Sequence, residues 1–282
     1  MGEVNPSLWG RPPAAAAVAR AVARLDRPPR RRAVFTIVRD EAFFLPLWLR
    51  HYSRSFDPAD IHVLDHGSTD GSTDGDGFVR VPVDHPWVDV LWLRDTVQAY
   101  QHRLMERYDA VLYADVDEIV VPDPRAGTLA DCLDRLRDPV VRCTGYEVVH
   151  QPGTEPPLDP DRPVLAQRTR WFRNPLYDKP ALARIPLTYG PGWHACRETS
   201  AAPDPDLYLV HLHRVDYGRC LARHRARAAK EWNPRDVRKG WYQQMRVTDD
   251  TAFAHWFQQD TGTRGEVPMR QEGIPARLGG LF

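Results

Sequence analysis

Ala110-Val-Leu-Tyr-Ala-Asp115-Val-Asp117-Glu118-Ile-Val-Val121 is an apolar run that meets three carboxylates and resumes as a second apolar run. In an unbroken strand side chains alternate between faces, so Asp115 and Asp117 would share one. Two unscreened carboxylates held that close are costly without a metal or a basic partner. Oxygen ligands in a D-x-D pattern suit Mg2+ or Mn2+, which keep open positions for substrate phosphate oxygens. A metal-held diphosphate is the leading expectation. The competing one is a solvated strand end or helix cap, and the rest of the chain has to decide between them.

Upstream, Ala33-Val-Phe-Thr-Ile-Val-Arg39 reads as a strand buried on both faces, and Asp40 with Glu41 opens a helical pattern carrying Phe44, Leu47, Trp48 and His51. Ile61 to Asp65 is a second strand that stops in His66-Gly-Ser-Thr-Asp-Gly-Ser-Thr-Asp-Gly-Asp-Gly77, a loop through which backbone can approach a ligand closely. The loop fails the EF-hand test, because counting from Asp70 places Val81 where a bidentate Glu is needed. Phe78 to Val83 and Val88 to Leu93 read as short strands, and Thr96 to Tyr108 as a helix. Strands alternating with helices predict a mostly parallel α/β sheet flanked by helices, whose ligands gather beyond the carboxyl ends of the strands. Asp65, the Gly/Ser loop and the Asp115/Asp117 pair would share that rim. No G-x-G-x-x-G follows the first strand and no G-x-x-x-x-G-K-[ST] is present, which counts against a dinucleotide oxidoreductase and a P-loop NTPase.

Downstream, the pattern predicts a helix over Thr128 to Leu136, a strand over Val140 to Val149, and a Pro-rich loop from Gln151 to Pro163. Short elements follow at Arg168 to Phe172 and Ala181 to Ile185. Then come a strand over Leu207 to Arg214, an Arg-rich helix over Tyr217 to Glu231, and a helical stretch from Trp241 to Gln258 before a polar tail. His211 and His213, two apart in a strand, share a face, and a neutral imidazole can complete a Mn2+ site beside aspartates; His194 is a rival.

Composition narrows the classes. With 282 residues, one large domain is expected, and 38 basic against 38 acidic side chains give no reason to expect nucleic acid as a partner. Cys132, Cys143, Cys196 and Cys220 form no C-x-x-C pair and no zinc spacing, so a reducing, cytoplasmic setting is expected. The Ala-rich stretch from Ala14 to Val22 is interrupted by Arg20, which spoils it as a signal or membrane span. Residues 1–32 are read as a short helix and a basic linker, with 33–282 as the domain proper.

Thr36-Ile-Val-Arg-Asp-Glu41, then Val63-Leu-Asp-His-Gly-Ser-Thr-Asp-Gly-Ser72, then Asp115-Val-Asp-Glu118 together resemble the nucleotide-sugar half of the family 2-like glycosyltransferases with the GT-A (Rossmann-like) fold. The resemblance covers about residues 33–125, and only loosely extends over 126–282, the acceptor half. It implies a metal-dependent hexosyl- or N-acetylhexosaminyl-transferase that moves a sugar from a nucleotide-diphosphate sugar, UDP by family habit, to a small-molecule, cell-envelope or other glycan acceptor. Thr36, Arg39 and Glu41 would line the nucleotide pocket, Asp65 would contact base or ribose, and Ser68 to Asp70 would shape the loop. Asp115 would face the sugar and the metal, Asp117 would bind Mn2+ or Mg2+, and His211 would complete the metal site. Gln98 and Arg103 are candidate contacts to sugar or diphosphate. Glu147, Asp178 and His194 are candidate bases for the acceptor proton, and Trp171, Trp193 and Trp241 candidate stacking surfaces. The alternatives are a nucleotidyltransferase, which would carry a Gly/Arg/Lys-rich phosphate loop after the first strand, and a silent nucleotide-binding module.

Overall fold

The computed structural model describes residues 9–260, 267, 268 and 270–282. The first eight residues of the N-terminal segment and residues 261–266 and 269 of the polar tail lie outside the described residues. The chain begins with α1 (Ala15–Val22), β1 (Arg32–Val38), α2 (Phe44–Tyr52), β2 (Ile61–Asp65) and β3 (Val79–Pro82). After α3 (Val90–Met105) come β4 (Ala110–Tyr113), β5 (Glu118–Pro122), α4 (Leu129–Arg135), β6 (Val140–Val141) and β7 (Cys143–Val148). The remainder holds β8 (Arg170–Arg173), β9 (Leu182–Ala183), β10 (Asp204–His211), α5 (Tyr217–Ala228), α6 (Pro234–Arg238), α7 (Asp250–Phe257), β11 (Gln259–Asp260), β12 (Val267–Pro268) and β13 (Gln271–Gly273).

One sheet runs β3-β2-β1-β4-β9-β6 and another β13-β8-β7-β10-β5. In the first, β3, β2, β1 and β4 are all parallel, with Val34 beside Ile61 on one side and Leu112 on the other. The continuous apolar run of β1 follows from this position, since it is covered on both faces. The mixed α/β arrangement with a parallel-rich sheet and flanking helices is the one the sequence predicts, and it is compatible with a GT-A-like domain. No helix among the described residues is long and apolar enough to cross a membrane.

The D-x-D stretch is where the sequence reading needs its main correction. It is not one strand: β4 ends at Tyr113 in the first sheet, and β5 begins at Glu118 in the second, where it pairs with β10. The Glu118 N–H donates to the Asp115 carbonyl at 2.8 Å, closing a turn between them. Ala114 to Asp117 therefore carry the chain from sheet to sheet, and strand alternation does not set their side chains. The acids sit at this junction because buried cations meet them there, as described below.

β5 is the edge of its sheet, and an unpaired edge wastes backbone hydrogen bonds. α2 covers it: Tyr52 Oη accepts from Val120 N at 2.9 Å, and His51 Nε2 lies 3.0 Å from the Val120 carbonyl. Trp48 and Tyr52 are fully buried in the same contact. The aromatic and His positions of the predicted helix therefore serve packing and edge protection.

Other departures have local causes. Val88 to Leu93 is not a strand, because Asp89 caps α3, accepting from Leu91 N and Trp92 N at 2.9 Å each. Only Val88 keeps a bridge, to Trp232. The helix expected over Trp241 to Gln258 is confined to α7, since Gly240 (φ 65°) and Tyr242 (φ 55°) turn left-handed before it. The strand expected over Val140 to Val149 breaks at Arg142, whose guanidinium turns to the carbonyls of Asp178 and Ala201 at 3.0 and 2.8 Å. The helix expected over Thr128 to Leu136 forms as α4, capped by Thr128 in a reciprocal box with Asp131.

Arg184, buried beside β9, fastens the N-terminal segment to this frame. Its guanidinium donates to the carbonyls of Arg24 and Arg27 at 2.6 Å, and to those of Leu25, Leu136 and Arg137 at 3.3 Å. Arg184→Met would strand these acceptors and is expected to destabilise the fold by about 3 kcal/mol in urea denaturation. Arg184→Lys should recover little of the loss, because an ammonium cannot span the same fork.

Candidate functional site

The sheet-to-sheet junction opens on a cavity of about 290 Å³. Its walls come from the end of β1 and the turn after it, the junction itself, residues 176–194, β10, α5 and residues 232–245. The three described non-glycine residues with positive φ, Asp40, Trp193 and Tyr242 at 55–57°, all border it. Backbone held in this region is costly and collects at functional sites.

Three acids of the junction are matched by internal cations. Lys179 Nζ lies 2.7 Å from Asp115 Oδ2 and 2.6 Å from Glu118 Oε1, while Tyr113 Oη donates to Asp115 Oδ1 at 2.6 Å. Burial lifts the Glu118 pKa to about 7 against the pull of Lys179. Burial opposes the Lys179 charge too, but the two carboxylates hold its pKa above the ordinary value. Asp117 faces the other way. Its Oδ2 accepts from Arg223 Nη1 and lies 3.5 Å from His211 Nε2 and 3.6 Å from His213 Nδ1. Burial alone would raise the Asp117 pKa, yet Arg223 and His211 keep it well below the carboxylate range. Burial also opposes a charge on His211, but Glu147 at 3.4 Å and Asp117 bring its pKa to about 9.

Once His211 has given up its proton, the chemistry of the donor set fits a hard or borderline divalent ion. Asp117, His211 and His213, all buried, offer one oxygen and two ring nitrogens within 4.8 Å of one another. His213 lies just past the end of β10, so the two imidazoles reach Asp117 from a strand end and the turn after it, stacked with ring planes 6° apart. Asp115 is spent on Lys179 and Tyr113, which leaves it outside this cluster.

Arg39, Glu41, Asp115, Asp117, His194 and His211 border the cavity. Thr36 does not: it lies within β1, and its buried hydroxyl has no partner. Asp65 is turned into its own loop, accepting from Ser68 N at 2.8 Å, Thr73 Oγ1 at 3.0 Å and Arg80 at 2.6 Å. Ser68 accepts from Asp40 N at 3.1 Å, and Asp70 from Ala42 N at 3.0 Å, so both tie the Gly/Ser loop to the turn after β1. Gln98 is occupied with the Arg11 carbonyl at 2.6 Å and Tyr189 N at 2.9 Å, and neither it nor the exposed Arg103 borders the cavity.

Of the candidate bases, Glu147 is held by Arg214 at 2.9 Å, and Asp178 by Gly145 N at 2.9 Å and Arg173 at 2.7 Å; neither reaches the cavity wall. His194 does. Its Nδ1 is 2.5 Å from the Leu176 carbonyl, which can only accept, so Nδ1 carries the hydrogen and Nε2 is left as the acceptor. Among the tryptophans Trp193 borders the cavity, whereas Trp171 stacks on Tyr146 at 4.1 Å and Trp241 lies away from the wall.

The sequence reading passed over the cations that organise the site: Lys179, Arg223, Arg227 and Lys230. The last three recur at spacings of four and three from α5 into its C-terminal turn, a helical periodicity visible in Arg223-His-Arg-Ala-Arg-Ala-Ala-Lys230. Lys230 Nζ binds Asp40 at 2.7 Å and the Arg39 carbonyl at 3.0 Å, and Arg227 lies 3.8 Å from Glu41.

No family model matches the chain, and no curated protein matches it. Solved structures that share a distant likeness include the following two. The mannosyltransferase PcManGT from Pyrobaculum calidifontis, in complex with GDP-Man and Mn2+, aligns at a TM-score of 0.38 and 16% identity, over 80% of this chain and 76% of that one. A mycobacterial protein aligns at 0.35 and 14%, over 94% and 89%. Likenesses this weak carry no argument about activity.

Although the His194 ring keeps some exposure at the cavity wall, it lies deep in the protein. Burial, helped by the Lys179 charge, takes its pKa down to about 3. Its ring resonances should keep the neutral, Nδ1-protonated pattern from pH 8 to pH 5 in NMR; a midpoint near 6.5 would contradict this environment. Lys179→Met, which leaves Asp115 and Glu118 without their cation, should cost about 3 kcal/mol in chemical denaturation at pH 7.

Proposed function

We propose that the chain is a glycosyltransferase that takes a sugar from a nucleoside-diphosphate sugar, with a divalent ion held by Asp117, His211 and His213. What supports this reading is one coincidence. Asp117 and His211 of the donor cluster and a row of cations, Arg39, Arg223, Arg227 and Lys230, border one cavity beyond the carboxyl end of β1. Breaking a sugar–diphosphate bond sends negative charge onto the leaving group, and fixed cations around that group stabilise it. Mn2+ or Mg2+ bound at the cluster would supply Lewis-acid neutralisation of the same phosphates.

On this reading residues 33–125 supply Arg39, Glu41 and Asp117 to the donor side, and 126–282 supply its remaining metal ligands and cations as well as the acceptor wall. Lys179 keeps Asp115 and Glu118 charge-balanced without drawing on the donor set. His194, through its unprotonated Nε2, is positioned to accept a hydrogen bond from the incoming hydroxyl and orient it, while a pKa of about 3 makes it a weak holder of the transferred proton. Trp193 and Tyr242 form an aromatic flank on that side. The donor base is proposed as uracil, on the resemblance of the first third of the chain alone.

Calorimetric titration of UDP, GDP, TDP and CDP, each with Mn2+ and with a chelator, tests the proposal. One nucleotide should bind tightly, and Asp117→Ala or removal of the metal should weaken it at least tenfold. Indifference of every nucleotide to both changes would sink the reading.

A further inference from the structure

The donor cluster already contains a cation of the protein's own. Arg223 Nη1 donates to Asp117 Oδ2 and lies 3.2 Å from His213 Nδ1, so it sits among the atoms that would ligate a metal. The other side of the guanidinium holds Glu41 Oε1, at 3.0 Å from Nε and 2.6 Å from Nη2. A guanidinium only donates. His213 Nδ1 must therefore accept, which places the His213 hydrogen on Nε2, 2.9 Å from His224 Nε2. The ring nitrogen facing Asp117 is thus a bare lone pair, the state a metal needs, and Arg223 occupies it.

Resting on the metal-and-diphosphate reading above, we infer that Arg223 is an internal surrogate for the divalent ion, which yields the site when a diphosphate arrives to receive it. A divalent ion and the guanidinium compete for the same two acceptors, Asp117 Oδ2 and His213 Nδ1, and at contact distance they repel. Arg223 can pivot on Glu41, but the space beside it is already positive: Arg227 is the next residue on that face of α5, and Lys230 and Arg39 border the same cavity. Without an anion there, displacement of Arg223 is opposed by its neighbours. A diphosphate reverses this, since it accepts the two-pronged donation of a guanidinium. Metal and diphosphate then bind with positive coupling, each strengthening the other by the same factor.

The test uses the whole chain and measures Mn2+ binding directly, by electron paramagnetic resonance and calorimetry, with Mn2+ alone and with saturating UDP or GDP. Arg223→Gln removes the charge while keeping a hydrogen-bonding amide, and Arg223→Lys keeps the charge without the fork. Circular dichroism and a melting curve establish that each variant is folded. Wild type should bind Mn2+ alone at least tenfold more weakly than Arg223→Gln does. Adding UDP or GDP should tighten Mn2+ binding by wild type at least tenfold more than binding by Arg223→Gln. Arg223→Lys should fall nearer to wild type. If Arg223→Gln binds Mn2+ no more tightly than wild type, the surrogate role is overturned while the metal reading stands. If nucleotide binds and no form of the protein takes Mn2+, the metal reading itself fails and this inference with it.

Discussion

A carboxylate taken out of water costs several kcal/mol unless a cation or hydrogen-bond donors replace the water it loses. The step from the first sheet to the second gathers three acids within four residues, with Asp117 and Glu118 buried, and the fold is arranged to meet that demand. Lys179 arrives on the loop before β9 and takes Asp115 and Glu118; Arg223 arrives on α5 and takes Asp117 together with Glu41. Each cation joins segments far apart in sequence. The chemistry that makes the cavity a candidate site is also what brings the late part of the chain onto the early part.

How much of this was legible follows from how local each signal is. β1, β2 and α4 could be read directly, because their apolar patterns and flanking turn residues are complete within a dozen residues. Val88 to Leu93 misled because its alternation resembles a strand, and the capping role of Asp89 outweighed it. The D-x-D stretch was legible as chemistry and illegible as geometry. Its two apolar flanks look like one strand because both are buried, and nothing local says that they belong to different sheets.

The same division holds for the cavity. Arg39, Glu41 and Asp117 could be picked out because their motifs are short and ordered, and His211 because it stands two residues from His213. Asp65 could be found but not placed, since its partner Arg80 is fifteen residues away and redirects the carboxylate into its own loop. Gln98 looked available on a helix face and is instead committed to the backbone of Tyr189 and Arg11. Lys179, Arg223 and Arg227 sit in stretches without a motif, where only the folded chain shows which acids they answer.

The distance between Asp117 and Arg223 along the chain also sets an order of assembly during synthesis. When the ribosome has completed the first four parallel strands, Asp115, Asp117 and Glu118 have emerged but Lys179, His211 and Arg223 have not. Until those residues follow, drying out the junction would leave acids without counter-charges, so it stays wet and the second sheet has no reason to close on the first. Emergence of α5 supplies the missing guanidinium, and only then can the cavity close with Asp117 and Glu41 paired. A chain halted before residue 223 would therefore carry Asp117 and Glu41 without the guanidinium that joins them in the finished protein.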